Sequence, residues 1–347
     1  MNESGDGVSE RAMELREQAL TDPEEVELEE LAEILSNPVV PPAAHGAAIV
    51  ALLNVARVRD DIGEAFVEDL GRVLGRPSLN TALVLRCLRQ LAVNDPEAVL
   101  ALRDEIVDRI SIESTDVTQA ATGCCVELIA TNPVAFVDQV PTLATLLDSE
   151  NDQVQNNAVY ILSQVAHEYP EEVKPVVPQL IDDIGSREQP YQINALSALG
   201  AVTSAYPAAG VEATDTIAEL VASNAPAKVR ANAVGLLGDI AVGHPAELEE
   251  HVPLLVDCIQ SDDEYLSGNA SAALLHVAID DSEAVEEAIP ALIELLDDPS
   301  PVVRRNVCKA LGHVEATVAL EQLKTMAESD PDEEVRSIAA WAAENIT

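Results

Sequence analysis

Three residues able to do chemistry keep a fixed interval in this chain of 347 residues: Asp239, His276 and His313 stand 37 apart, twice over. A carboxylate and two imidazoles suit Zn and similar ions, so a shared metal is one chemistry open to them. A polar patch that hydrogen-bonds a partner is the other, and a solvated face is the plain alternative. Traced towards the N-terminus, the same register reads Gln90, Glu127, Gln164 and Ala201. The five cysteines, Cys87, Cys124, Cys125, Cys258 and Cys308, show no metal-type spacing and stand where equivalent segments carry Leu, Ile or Val. They are expected to be reduced thiols packed as small hydrophobes. There is no P-loop, no dinucleotide-binding Gly cluster and no supported Ser–His–Asp arrangement.

The elements that hold these residues follow from an internal repeat. Asn precedes a small apolar residue at Asn157, Asn194, Asn232, Asn269 and Asn306, at spacings of 37, 38, 37 and 37. Pro follows thirteen residues later at Pro170, Pro207 and Pro245, and Pro133 and Pro96 place two earlier anchors at Ala120 and Leu83. Relative to the anchor, positions +1, +5 and +8 are apolar from Leu83 on and position −3 from Val117 on, as in Val154, Ala158, Leu162 and Val165. At 100° per residue they fall within an arc of about 80°, so one helix per repeat buries one stripe. Period-2 alternation fits none of it.

A second helix fits between the Pro and the next anchor, because Pro at the first helical position loses no needed bond; Pro170 to about Ile184 is one example. Eight residues on, another Pro recurs at Pro141, Pro178, Pro253 and Pro290 and is expected to kink this outer helix in its middle. Polar stretches such as Asp148-Ser149-Glu150-Asn151-Asp152 join outer to inner helix. The Asn series has two readings. It either hydrogen-bonds neighbouring helix ends or loops and fixes stacking register, at roughly 1 kcal/mol per bond, or it shares a functional stripe with positions +3 and +7.

The phrase Asp298-Pro299-Ser300-Pro301-Val302-Val303-Arg304-Arg305-Asn306-Val307-Cys308-Lys309-Ala310-Leu311-Gly312 resembles the inner half of a HEAT repeat. So does Asp332-Glu333-Glu334-Val335-Arg336-Ser337-Ile338-Ala339-Ala340. With weaker units near Ala47 and Ile338, the resemblance covers residues 23 to 346. It implies an all-α fold, a right-handed α-solenoid of about nine HEAT-type helix pairs. Armadillo repeats carry their groove Asn at position +7, which the Trp341 and Asn345 pair still matches, although the regular Trp–Asn array is missing. The Arg of the HEAT pattern appears at −2 as Arg230, Arg304 and Arg336, with Gln155, Gln192 and Ser267 elsewhere. Deoxyhypusine hydroxylases are similar in architecture, but their several His-Glu pairs reduce here to His167-Glu168.

The formal net charge is −43, from 62 acidic and 19 basic residues, yet 48% of residues are apolar, so a folded core is expected rather than disorder. Only four of the basic residues are Lys: Lys174, Lys228, Lys309 and Lys324. Dense carboxylates with scarce Lys resemble proteins of salt-in, haloarchaeal type, because in molar salt the Debye length is about 3 Å and such a coat no longer repels itself. Nucleic acid is not an expected partner, since its phosphates need clustered cations. Neither a signal peptide nor a membrane span is expected, so the location inferred is cytoplasmic. The expectation is an acidic tail with a capping helix over 1–22 and a single solenoid over 23–347. The function expected is a non-catalytic protein-binding scaffold or adaptor without cofactor, with Gln90, Glu127, Gln164, Asp239, His276 and His313 on its concave face. A metal-dependent or lyase-like HEAT-repeat enzyme is the alternative.

Overall fold

The computed structural model describes residues 3–60, 62–75, 81–110 and 114–346, and every regular element among them is a helix. The chain divides into two compact units, Met1–Glu168 and Tyr169–Thr347.

Unit 1 holds α1 (Glu3–Thr21), α2 (Leu28–Ser36), α3 (Pro42–Val55), α4 (Gly63–Leu74), α5 (Thr81–Asn94), α6 (Pro96–Leu100), α7 (Arg103–Val107), α8 (Thr115–Ile129), α9 (Val140–Leu146) and α10 (Asp152–Glu168). Its inner helices α3, α5, α8 and α10 pack in series, each also touching the shorter segments that precede it. Unit 2 holds α11 (Pro170–Val173), α12 (Val177–Ile184), α13 (Gln189–Ala205), α14 (Thr214–Ala222), α15 (Ala227–Gly243), α16 (Val252–Ile259), α17 (Glu264–Asp280), α18 (Ile289–Glu294), α19 (Pro301–His313), α20 (Leu320–Ser329) and α21 (Glu333–Asn345). Here α13, α15, α17, α19 and α21 form the inner series. Among the described residues this makes nine inner helices, and the architecture is an all-α solenoid.

The periodic stripe explains the core. Position +1 is buried in all seven repeats from Val84 to Val307, and so is +5 from Leu88 to Leu311. At the flanking positions only Val117 and Val314 are half-buried. Each buried branched side chain contributes on the order of 1.5–3 kcal/mol, and because each inner helix is flanked by others, the stripe is covered only by stacking.

The outer layer differs from the expected kinked helix. In the repeat that begins at Pro170, the α11 segment gives way to a 3₁₀ turn over Lys174–Val176, and α12 starts afresh with Pro178 at its second position. Pro141, Pro253 and Pro290 likewise sit at the start of α9, α16 and α18, after the 3₁₀ stretches Pro133–Gln139, Pro245–His251 and Glu283–Ala288. Proline lacks the N–H of the α ladder and its ring clashes with the carbonyl four residues back. The chain therefore tightens into 3₁₀ geometry and restarts where no N–H is required.

At the N-terminus, helix α1 begins at Glu3 and so takes in residues expected to form a tail. It packs against α3, with Ala12, Leu15 and Ala19 buried, and Arg11 forms an ion pair with Glu30 of α2. No helix among the described residues is long and apolar enough to cross a membrane.

Candidate partner-binding face of the inner helices

The inner helices are anchored before they present anything. Position −2 is the anchoring position, and it works with Gln as well as Arg. Gln155 Nε2 donates to Leu147 O (3.0 Å) and Gln192 Nε2 to Ile184 O (3.2 Å). Arg230 Nε donates to Val221 O (2.8 Å), Arg304 Nη1 to Asp298 O (2.7 Å) and Arg336 Nη1 to Asp330 O (2.7 Å). In every case the acceptor lies at the C-terminal end of the preceding outer helix, where carbonyls lack intrahelical partners. In these five repeats a long side chain ending in N–H makes the bond, so Gln155 and Gln192 continue the Arg series and Ser267, at −2 of the α17 repeat, departs from it. In the penultimate repeat Arg304 does more: its Nε and Nη2 each bond Asp330 at 2.9 Å, a buried bidentate pair. That contact holds the Asp330 carboxyl below the usual carboxylate range.

Three of the five anchor asparagines reach the preceding inner helix. The Asn157 amide lies 3.0 Å from Thr122 Oγ1 on α8, Asn269 Nδ2 donates to Ala231 O (2.9 Å) on α15, and Asn306 Nδ2 lies 3.3 Å from Ser271 Oγ on α17. Asn194 is half-buried on α13, and Asn232 is exposed on α15.

In unit 1, Gln90, Glu127 and Gln164 are half-buried on α5, α8 and α10. Glu127 accepts from Arg89 of α5 through Nε (3.0 Å) and Nη2 (2.9 Å). Arg86, on the same helix, pairs with Asp116. Gln164 Nε2 lies 3.4 Å from its neighbour Ser163 Oγ.

In unit 2, Asp239, His276 and His313 are half-buried on successive inner helices α15, α17 and α19. Asp239 and His313 turn to different neighbours. Asp239 lies over Gly200 of α13, whose missing Cβ would sit 3.7 Å from Oδ2. The His313 ring meets the Trp341 indole of α21, with centroids 5.1 Å apart and planes at 54°. That seat depends on Gly312, where a Cβ would fall 2.7 Å from Trp341 Cζ3 and 2.9 Å from the Ala342 Cα. Burial pushes the Asp239 carboxyl up and both imidazoles down, and the charge of Lys309 lowers both imidazoles further. Lys309 and Trp341, both at position +3, are thus part of this face, although only the +7 residues were expected to form it. The signal for them was present in the +3 column, where a Lys and a Trp interrupt mostly small residues.

Among the described residues, no three His, Cys, Asp or Glu side chains come together in a way that could hold a metal ion. The divergence of Asp239 towards α13 and of His313 towards α21 accounts for this at the register where a shared ligand set was considered. All five cysteines are free and buried, and desolvation pushes the Cys87, Cys125 and Cys308 thiols up to about 12. Such thiols are poor nucleophiles and metal ligands at neutral pH.

Residues 252–344 match the family model described as HEAT repeats. Among solved structures, an engineered protein is similar at 23% identity and a TM-score of 0.55, over 60% of this chain and 96% of its own. A designed armadillo repeat protein is similar at 22% identity and a TM-score of 0.53, over 60% of this chain and all of its own. At such identities the likeness is one of fold. Among curated proteins, none matches. The chain is therefore an all-α solenoid in fold, with HEAT repeats identified over residues 252–344.

Proposed function

We propose that this chain is a non-catalytic protein-binding scaffold or adaptor, acting through its inner helices in a cytoplasm of high salt. The observation that carries the reading is the half-buried polar row of Asp239, His276 and His313 on α15, α17 and α19, set on helices whose other faces are closed by packing. A solenoid offers successive, evenly spaced side chains to an extended partner. In unit 1, Gln90, Glu127 and Gln164 are read as the corresponding contacts, and α1 as the cap that covers α3. The direct test is capture of partners from cell extract in multimolar KCl by the immobilised chain. Asp239→Lys combined with His276→Glu is expected to abolish capture with helical content unchanged. Undiminished capture by that variant overturns the assignment.

The salt reading has its own check. Carboxylates such as Glu24, Glu25, Glu171, Glu172, Glu249, Glu250, Glu286 and Glu287 are exposed, whereas Asp69 and Asp330 are the buried ones among the described residues. Their mutual repulsion is screened only when the Debye length is short, about 3 Å near 1 M salt. Lowering KCl below roughly 0.5 M is expected to reduce the circular dichroism of the helices. Full helicity in salt-free buffer would return the charge to the possible binding signals.

A further inference from the structure

In a chain with 62 acidic residues, a cation is expected to find a carboxylate, and in unit 2 Arg304 holds Asp330, Arg305 holds Glu334, Arg187 holds Asp183 and Lys324 holds Glu321. Arg230 and Arg336 donate to backbone carbonyls, Lys174 lies over the Tyr206 ring and Lys228 is exposed. Lys309 is half-buried on an inner helix and has none of these partners. No carboxylate of the described residues lies within ion-pair distance of its ammonium. The reason is visible in the repeat register. Arg86 occupies the +3 position of its own repeat and pairs with Asp116, four residues before the next anchor. The residue equivalent to Asp116 for Lys309 is Glu334, already engaged by Arg305 at 2.6 Å. At position +6, where Arg89 finds Glu127, α19 carries Gly312, and the residue equivalent to Glu127 is Asn345, which carries no charge.

Lys309 therefore stays half-buried and unneutralised, one helical turn before His313 on the same face of α19. Its field also reaches His276 of α17. From the elements packed against α17 and α19, the other groups at this register are Asp239 of α15, turned towards Gly200, and Trp341 of α21, stacked on His313. The result is an ammonium and an imidazole on α19, the latter against an indole, with a second imidazole on the adjacent α17.

We propose that Lys309, His276 and His313 together receive a carboxylate of an acidic peptide segment of the partner, with Trp341 packing against the adjoining side chain of that segment. This rests on the scaffold reading above and names the chemistry of what the scaffold holds. Charge complementarity carries it: Lys309 and His313 stand one turn apart on one face of α19, with His276 on the adjacent α17, where the pattern of the chain would have supplied an acid, and a carboxylate from outside completes the pairing that Arg86 and Arg89 achieve internally. Burial and the charge of Lys309 both oppose protonation of the two rings. A bound anion offsets the second cause, so binding takes up protons and tightens as pH falls. The acidic coat repels such a segment at long range in dilute buffer and little in molar salt, where contact chemistry alone remains.

The test uses the full chain with its six histidines isotopically labelled, in 2 M KCl. The probe is a blocked hexapeptide of alternating Glu and Leu, with its Gln–Leu counterpart as control. His276→Gln and His313→Gln assign the two ring signals, and His45, His167, His244 and His251 serve as internal references. The Glu peptide is expected to raise the titration midpoints of His276 and His313 alone. Lys309→Gln, with its helicity checked, is expected to bind the Glu peptide about tenfold more weakly. Identical responses to the Glu and Gln peptides, no binding of either, or undiminished binding by Lys309→Gln each overturn the proposal. The two readings fail separately. If Asp239→Lys with His276→Glu abolishes partner capture while the peptides are not distinguished, the anionic site falls and the scaffold stands. If the Glu peptide binds as described while capture survives that variant, the scaffold assignment falls and the anionic site stands.

Discussion

Helix α5 in unit 1 and helix α19 in unit 2 carry a cation at the same place in the repeat, Arg86 and Lys309, and treat it in opposite ways. On α5, Arg86 and Arg89 each hold a carboxylate supplied by α8, Asp116 and Glu127. On α19, Lys309 has no acid partner among the described residues, because Glu334 is taken by Arg305 and Asn345 is neutral. Exposed ion pairs contribute only about 0–1 kcal/mol, so the difference bears little on folding. It bears on availability. The face of unit 1 is internally neutralised, and that of unit 2 keeps an unspent positive charge beside two titratable rings.

The largest effect should come from the buried Arg304–Asp330 pair. Arg304→Ala strands the Asp330 carboxylate and is expected to cost about 3–5 kcal/mol, seen as a lower denaturant midpoint in unit 2; an unchanged midpoint would remove the contrast between buried and exposed pairs. Next, Asn345→Glu gives Lys309 the acid that Arg89 finds in Glu127. It should convert unit 2 to the pattern of unit 1 and weaken binding of the Glu–Leu hexapeptide about tenfold, measured by titration of the ring signals. Undisturbed binding would show that the missing acid is not what keeps the site open.

A third effect concerns pH. His276 and His313 are held below their ordinary value in the folded chain, so the fold favours their neutral forms. That contribution to stability is present above about 6.5, the unfolded value, and is lost as pH falls through the folded values. Denaturation midpoints of unit 2 should drop on acidification through this window, and less so in Lys309→Gln, which removes one cause. The smallest effect is Arg89→Ala in unit 1, expected to cost no more than about 1 kcal/mol by thermal unfolding. A larger loss would mean that the exposed Arg89–Glu127 pair is structural after all.

The inner layer of this architecture was readable because its signal is redundant: Ala158, Ala195 and Ala233 are buried for the same reason at the same register. The outer layer was less so. Pro178 and Pro253 announce a disturbance, but whether a helix bends or restarts depends on how the neighbouring turn satisfies its carbonyls, which spacing does not encode. The site was legible to the level of a column. Position +7 places Asp239, His276 and His313 half-buried on successive inner helices, yet the partners of each depend on contacts between repeats. Glu334 being occupied by Arg305, or Trp341 fitting over Gly312, is a fact about two side chains competing for one place. Gln155 and Gln192 teach the same point in reverse: they differ in type from Arg230 but donate to the same kind of carbonyl.

The interrupted outer segments carry a kinetic consequence. A 3₁₀ stretch such as Pro133–Gln139 or Pro245–His251 closes its bonds over three residues with poorer alignment, and each stretch is bounded by prolines that donate nothing. Amide protons there should exchange with solvent deuterium well before those of α10 or α17, whose seventeen residues form continuous ladders. Each repeat would then open from its rim inward, leaving the inner helices as the last part of the chain to loosen.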